Sequence, residues 1–187
     1  ACASACACAW SLLAAHAATA AVATRPCHLP GVEEPLRCVT LQVPLDHSHP
    51  GARVLPLHVA VAPAFREAGR ADPLFVLAGG PGQAGSDVLP LVNTAFRRIR
   101  ATRDIVFIDQ RGTGLSGKLD CDTTPAQETM TEQQLEAELV ACIGRNKTPY
   151  GAYGTAAAAA DIDSVRKALG YKKINLFGGS YGTRLGQ

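Results

Sequence analysis

The chain has 187 residues, 47% of them apolar, and a formal net charge of +2 from 18 Lys and Arg against 16 Asp and Glu. A domain of this size buries roughly 70% of its unfolded surface, and this apolar content excludes an intrinsically disordered chain. The near-balance of charge gives no ground for nucleic acid or an acidic membrane surface as a partner.

Residues 1–24 hold no Lys, Arg, Asp or Glu. The stretch "AWSLLAAHAATAAVA" reads as the apolar core of a secretory signal, with small-residue cleavage candidates at Ala15-His16-Ala17 and Ala18-Thr19-Ala20. There is no initiator Met and no basic segment before it. Residues 1–24 are therefore read as a signal-peptide remnant, with an Ala-rich tail as the alternative, and residues 25–187 as the domain. The stretch is too short and too rich in small residues for a transmembrane helix, so no stable membrane insertion is expected. The expected location is secreted or periplasmic. Seven cysteines agree with an oxidising compartment. Cys2, Cys6 and Cys8 would leave with the signal. Cys27, Cys38, Cys121 and Cys142 would remain, open to three pairings or to four buried thiols. They show no CxxC spacing, so no zinc site is expected.

"CVTLQVPLD", residues 38–46, alternates like a strand and ends in a Pro/Asp turn. "HSHPGARV" is a turn, and "VLPLHVAVAPA", residues 54–64, is its hairpin partner. "PLFVLAG", residues 73–79, is a continuous apolar run, as in a strand buried on both faces. A helix is expected from about Asp87 to Arg98, then a buried strand "DIVFID" over 104–109, then a helix over 131–143. "TAAAAADIDSVRKALG" is a helix capped by Thr155 and ended by Gly170, with Ile162, Val165 and Leu169 on one stripe. "KINLFGGS", residues 173–180, is a third buried strand running into a turn. A hairpin followed by strand–helix–strand–helix–strand predicts an α/β fold with a mostly parallel sheet. Chemistry in such sheets gathers at the carboxyl ends of the strands. Here those ends carry Gly79–Gly82, Asp109–Gly114 and Gly178–Gly182.

Gly80-Pro81-Gly82-Gln83-Ala84-Gly85 fits GxGxxG, yet a dinucleotide site wants an acidic residue about 20 positions on, and Asp109 lies farther. No Lys-Ser/Thr follows to make a P-loop. Gly178-Gly179-Ser180-Tyr181-Gly182 is a GxSxG between a strand and a helix. A serine at that corner needs a strained backbone that lifts its Oγ into the open, and the flanking glycines let strand and helix approach. Ser180 is the candidate nucleophile; the bland reading is a serine that caps the helix. An oxyanion formed there would need the N–H of Tyr181 and a second N–H from an earlier loop. The loop "AGGPG" supplies Gly80 as the candidate, with Gly79 and Gly82 as alternates.

"GGPGQAG", "DIVFIDQRGTGLSG" and "INLFGGSYGTRLGQ" together resemble the α/β-hydrolase superfamily, most closely its proline iminopeptidase and tripeptidyl aminopeptidase branch. The resemblance covers roughly residues 38–187, and "CVTLQVPLDHSHP" is similar to the opening strands of the secreted members. Ala78 stands before GGPG where proline iminopeptidases often have His, which favours the secreted tripeptidyl-type branch. The resemblance implies the N-terminal half of an α/β-hydrolase fold, hairpin strands then a mostly parallel sheet, truncated just after the nucleophile turn. It implies a serine aminopeptidase acting on the N-terminus of peptides through an acyl-enzyme. It also implies pairings Cys27–Cys38 and Cys121–Cys142, which sequence proximity favours too. Asp109-Gln110-Arg111-Gly112 is then a structural turn held by an Arg–Asp contact, and "DIDSVRKALG" is scaffold. His47 and His49 read as a solvated turn rather than a metal pair. No cofactor and no metal are expected.

In this fold the triad runs Ser, then Asp or Glu, then His. His16, His28, His47, His49 and His58 all precede Ser180, so the Asp and His are expected beyond residue 187, with any cap domain. An esterase on the same scaffold, and a short non-catalytic product, are the other readings. The expected partner is a peptide or small-molecule substrate; oligomeric state is not legible.

Overall fold

The computed structural model describes residues 21–67, 69–121, 125–145 and 148–187. The stretch read as an export signal lies outside them up to residue 20, with Cys2, Cys6, Cys8 and His16. Six strands form one sheet: β1 (Arg25–Cys27), β2 (Leu36–Pro44), β3 (Val54–Ala62), β4 (Leu74–Leu77), β5 (Ile105–Ile108) and β6 (Asn175–Gly178), in spatial order β1-β2-β3-β5-β4-β6. β1, β2 and β3 meander antiparallel, and β3 pairs antiparallel with β5 (Val59 opposite Ile108). β5, β4 and β6 are parallel, with Val76 opposite both Phe107 and Phe177. The helices are α1 (Arg97–Arg100), α2 (Glu132–Arg145), α3 (Thr155–Ala168) and α4 (Tyr181–Leu185).

The apolar runs are buried on both faces because alternate residues serve different cores. Leu57, Val59 and Val61 of β3, Phe75 and Leu77 of β4, and Val106 and Ile108 of β5 pack under Ala158, Ile162 and Val165 of α3. Ala60, Ala62, Leu74, Val76, Ile105 and Phe107 point the other way, onto Leu36, Leu89, Val92 and Phe96. α3 follows its expected stripe, with Leu169 packed at the margin, and Gly170 at φ +77° ends it.

Four local expectations need correction. The helix over 87–98 is instead a 3-10 segment, Ser86–Asn93, followed by the short α1. Pro90 lies inside the first piece and has no N–H to continue an α-helical ladder. Thr155 is the first helical residue and caps nothing; Gly154 occupies the cap without a side-chain bond. β6 is not buried: Leu176 and Phe177 are 45% and 47% exposed. Among the described residues it pairs only with β4, at one edge of the sheet. The fourth is His47, described below.

Cys27 bonds to Cys38, closing β1 onto β2, and Cys121 bonds to Cys142, holding α2 to the segment after β5. Loops of 11 and 21 residues are closed, each contributing roughly 3 kcal/mol in the chain-entropy model. Among the described residues no helix is long and apolar enough to cross a membrane.

Candidate active site

Ser180 stands exposed between β6 and α4. Its backbone is at φ +50°, ψ −121°, and among the described residues no other non-glycine has a positive φ. An L-residue held there costs of order 1–3 kcal/mol and persists only where its surroundings enforce it. They do so through close approach. A Cβ on Gly178 would meet the Gly182 carbonyl, and one on Gly182 would meet the Leu77 carbonyl at the end of β4. The turn is closed by the Gly182 N–H donating to Gly179 O at 2.8 Å and the Thr183 N–H donating to Ser180 O at 3.0 Å.

The glycine-rich loop after β4 comes up beside this turn. A Cβ on Gly79 would lie 3.1 Å from Ser180 Cβ and 3.5 Å from Gln83 Oε1. The Gly79 N–H donates to that Gln83 oxygen at 3.1 Å. Gly80, at φ +96°, turns the chain away. The N–H groups of Gly80, Gly82 and Tyr181 have no partner among the described residues. Of the three loop candidates, Gly79 alone is therefore already engaged. An exposed hydroxyl beside unpaired N–H groups is an arrangement that can attack a carbonyl and receive the oxyanion, given a base for the hydroxyl proton.

The DQRG turn after β5 braces the same loop. The Asp109 carboxylate accepts the Ser86 N–H at 2.7 Å and the Leu115 N–H at 2.8 Å, and Gln110 Nε2 donates to Ala78 O at 3.3 Å. Burial acts to raise the Asp109 pKa, but His58 and the two backbone N–H groups outweigh it and hold the carboxyl below its ordinary value. His58 is buried beside it, Nδ1 3.5 Å from Asp109 Oδ2, too long for a good hydrogen bond.

Arg111 is buried and forms a two-pronged pair with Asp161 of α3, Nε to Oδ2 at 2.7 Å and Nη2 to Oδ1 at 2.6 Å. Its Nη1 donates to the carbonyls of Leu45 and Ala152. His47 belongs to this cluster: its Nε2 lies 2.8 Å from Asp161 Oδ1, with the ring three-quarters buried. It is not a solvated turn residue, because its Nε2 is held between Asp161 Oδ1 and Arg111 Nη2, the latter at 3.1 Å. His49 is exposed and bonds Asp46 at 2.8 Å. Among the described residues no histidine bonds Ser180, and no group of three or more His, Cys, Asp and Glu could hold a metal ion.

Gln83 and Thr155 were not singled out for the site by the sequence. Gln83 left a faint mark, a lone amide inside a glycine loop. Thr155 left none, since its Oγ1 meets the Tyr181 phenol, 26 residues on, at 2.7 Å.

A family model described as alpha/beta hydrolase fold matches residues 72–187, more than half of the chain. The chain belongs to the α/β-hydrolase family. It is 30% identical to Serine protease Hip1 of Mycobacterium tuberculosis over 167 residues, covering 80% of this chain and 32% of that protein. It is 28% identical to Tripeptidyl aminopeptidase of Streptomyces lividans over 196 residues, covering 94% of this chain and 36% of that one. Carboxylesterase B of Mycobacterium tuberculosis is 36% identical over 151 residues, 71% of this chain and 29% of the relative. The chain thus spans about a third of the length of the curated relatives it matches. Hydrolases of the peptidase and esterase kinds share its scaffold.

Proposed function

We propose that this chain carries the nucleophile and the oxyanion donors of an exported serine hydrolase, most like an aminopeptidase that releases residues from the free N-terminus of peptides. The observation that carries the reading is the Ser180 backbone, an L-residue at φ +50° on the turn between a parallel strand and a helix. Such strain points to function when the surroundings enforce it. In this reading Ser180 Oγ attacks the carbonyl, and the N–H groups of Tyr181 and Gly80 hold the oxyanion. The base and its carboxylate follow the nucleophile in chain order on this fold, and the relatives have twice as much length again to supply them. The two disulfides suit an oxidising compartment. Peptidase relatives support the substrate class.

A second reading, an esterase acting through the same serine, is favoured by the relative with 36% identity. Labelling of the full-length enzyme with a fluorophosphonate tests the nucleophile: Ser180 is expected to be the one serine modified, and modification elsewhere overturns the assignment. Hydrolysis of amino-terminal peptide arylamides, with poor turnover of their N-acetylated forms, is expected of an aminopeptidase. Good turnover of p-nitrophenyl esters with none of the arylamides would select the esterase.

A further inference from the structure

The Tyr181 N–H can serve an oxyanion only if the start of α4 is held still. The Tyr181 side chain ties it to the rest of the fold. The ring packs against the core under α3, and the phenol meets Thr155 Oγ1 at 2.7 Å. Thr155 opens α3, a 14-residue helix whose Ala158, Ile162 and Val165 are buried on the sheet. Six residues along, Asp161 is locked to the buried Arg111. The Thr155 hydroxyl is thus the end of a rigid strut running from the DQRG turn through α3 to the residue after the nucleophile. Its position is also unexplained by helix formation, since it caps nothing.

We propose that Thr155 is a positioning residue: through the Tyr181 phenol it aims the Tyr181 N–H at the oxyanion formed on Ser180. The proposal rests on the reading of Ser180 as nucleophile. The Thr155 hydroxyl meets the Tyr181 phenol and not Ser180, so its removal is expected to act on kcat and to leave KM alone.

The test uses the full-length enzyme with Thr155→Val, Thr155→Ser, Tyr181→Phe and the double variant Thr155→Val/Tyr181→Phe. For each, kcat and KM for a p-nitrophenyl ester and the rate of fluorophosphonate labelling are measured, with a thermal melt alongside. Expected are a fall of about tenfold in kcat and labelling for Thr155→Val, the scale of one neutral hydrogen bond, with KM unchanged. Thr155→Ser restores the rate. Tyr181→Phe gives the same loss, and the double variant loses no more than either single one, because both remove one bond. An unlabelled wild-type enzyme overturns the nucleophile assignment and this inference with it. A labelled wild type whose rate survives Thr155→Val, or losses that add in the double variant, or a melt that drops while kcat holds, overturns this inference alone.

Discussion

Arg111 and Asp161 meet as a buried, two-pronged ion pair 50 residues apart in sequence, joining the loop after β5 to the middle of α3. Neither group is more than 3% exposed, so each is the other's counter-charge in a region that excludes water. Removing one partner of such a pair costs about 3–5 kcal/mol, whereas replacing both with apolar residues of similar volume is far milder. Asp161→Asn is therefore expected to destabilise the enzyme by about that amount in a denaturant melt. Arg111→Met/Asp161→Leu should recover part of it. An Asp161→Asn melt within 1 kcal/mol of wild type (roughly one third of the smallest loss expected) would show the pair to be dispensable.

Ser180 offers a separation of stability from activity. Its φ of +50° is a strained value for an L-residue and an easy one for glycine. Ser180→Gly should stabilise the fold by about 1 kcal/mol while abolishing fluorophosphonate labelling. Ser180→Ala should abolish labelling equally, with a turnover loss of about 10⁶, but keep the strain and gain no such stability. A glycine variant less stable than the alanine variant would mean that the turn is not strained.

Acid sensitivity should have a source at Asp109. Its carboxyl is held below the ordinary 3.8, so it contributes stability that is present above about pH 4 and is lost as the pH falls through the folded-state value. Asp109→Asn should lower stability at neutral pH, where the carboxylate otherwise accepts two backbone N–H groups, and should flatten the fall between pH 5 and pH 2. Melts of both proteins across that range check it; parallel pH curves would assign the acid loss elsewhere.

The strands were legible because their apolar runs are unbroken, and only a strand covered on both faces needs that. Leu74–Leu77 and Ile105–Ile108 are such runs, and both are fully buried. "KINLF" has the same composition but lies at an edge, and composition says nothing of a strand's place in the sheet. Pro90 was visible in the sequence, and its effect on the expected helix over 87–98 follows from its missing N–H. At the site, local geometry was readable at Gly178, Ser180 and Gly182 since backbone crowding depends on residues close in sequence. The contacts that brace them were not. Thr155 to Tyr181, Arg111 to Asp161 and Asp109 to Ser86 join residues 23 to 50 apart, and no periodicity encodes a long-range partner.

Gln83 should matter to turnover although it carries no chemistry. Its side-chain oxygen takes the Gly79 N–H beside Ser180, leaving the Gly80 and Gly82 N–H groups as the unpaired donors of that loop among the described residues. Gln83→Ala releases Gly79 and lets the loop relax. The expected result is a fall in kcat of about tenfold, below the 10²–10³ for outright loss of one oxyanion donor, with KM little altered. Steady-state kinetics on the full-length enzyme decide it, and an unchanged kcat would show the loop to be held by Asp109 and Gln110 alone.

The open edge of β6 should govern how the 187-residue chain behaves when expressed by itself. Among the described residues β6 bonds to β4 on one side only, and its Leu176 and Phe177 are about half exposed. A flat apolar edge with unpaired N–H and C=O groups is a template for pairing with another chain. The isolated chain is therefore expected to associate as its concentration rises, and to hydrolyse neither peptides nor esters, since no histidine bonds Ser180 among the described residues. Phe177 packs edge-on against Phe96 at 5.1 Å, so the substitution that spares the core is Leu176→Lys, which sets a charge on the open strand. Light scattering over a concentration series should show the variant dispersed where the wild-type chain assembles. Equal scattering from both would move the sticky surface elsewhere, to the exposed Leu135, Leu139, Val140 and Ile143 of α2. The matching substitution there, Leu139→Lys, would then be the one to disperse the chain.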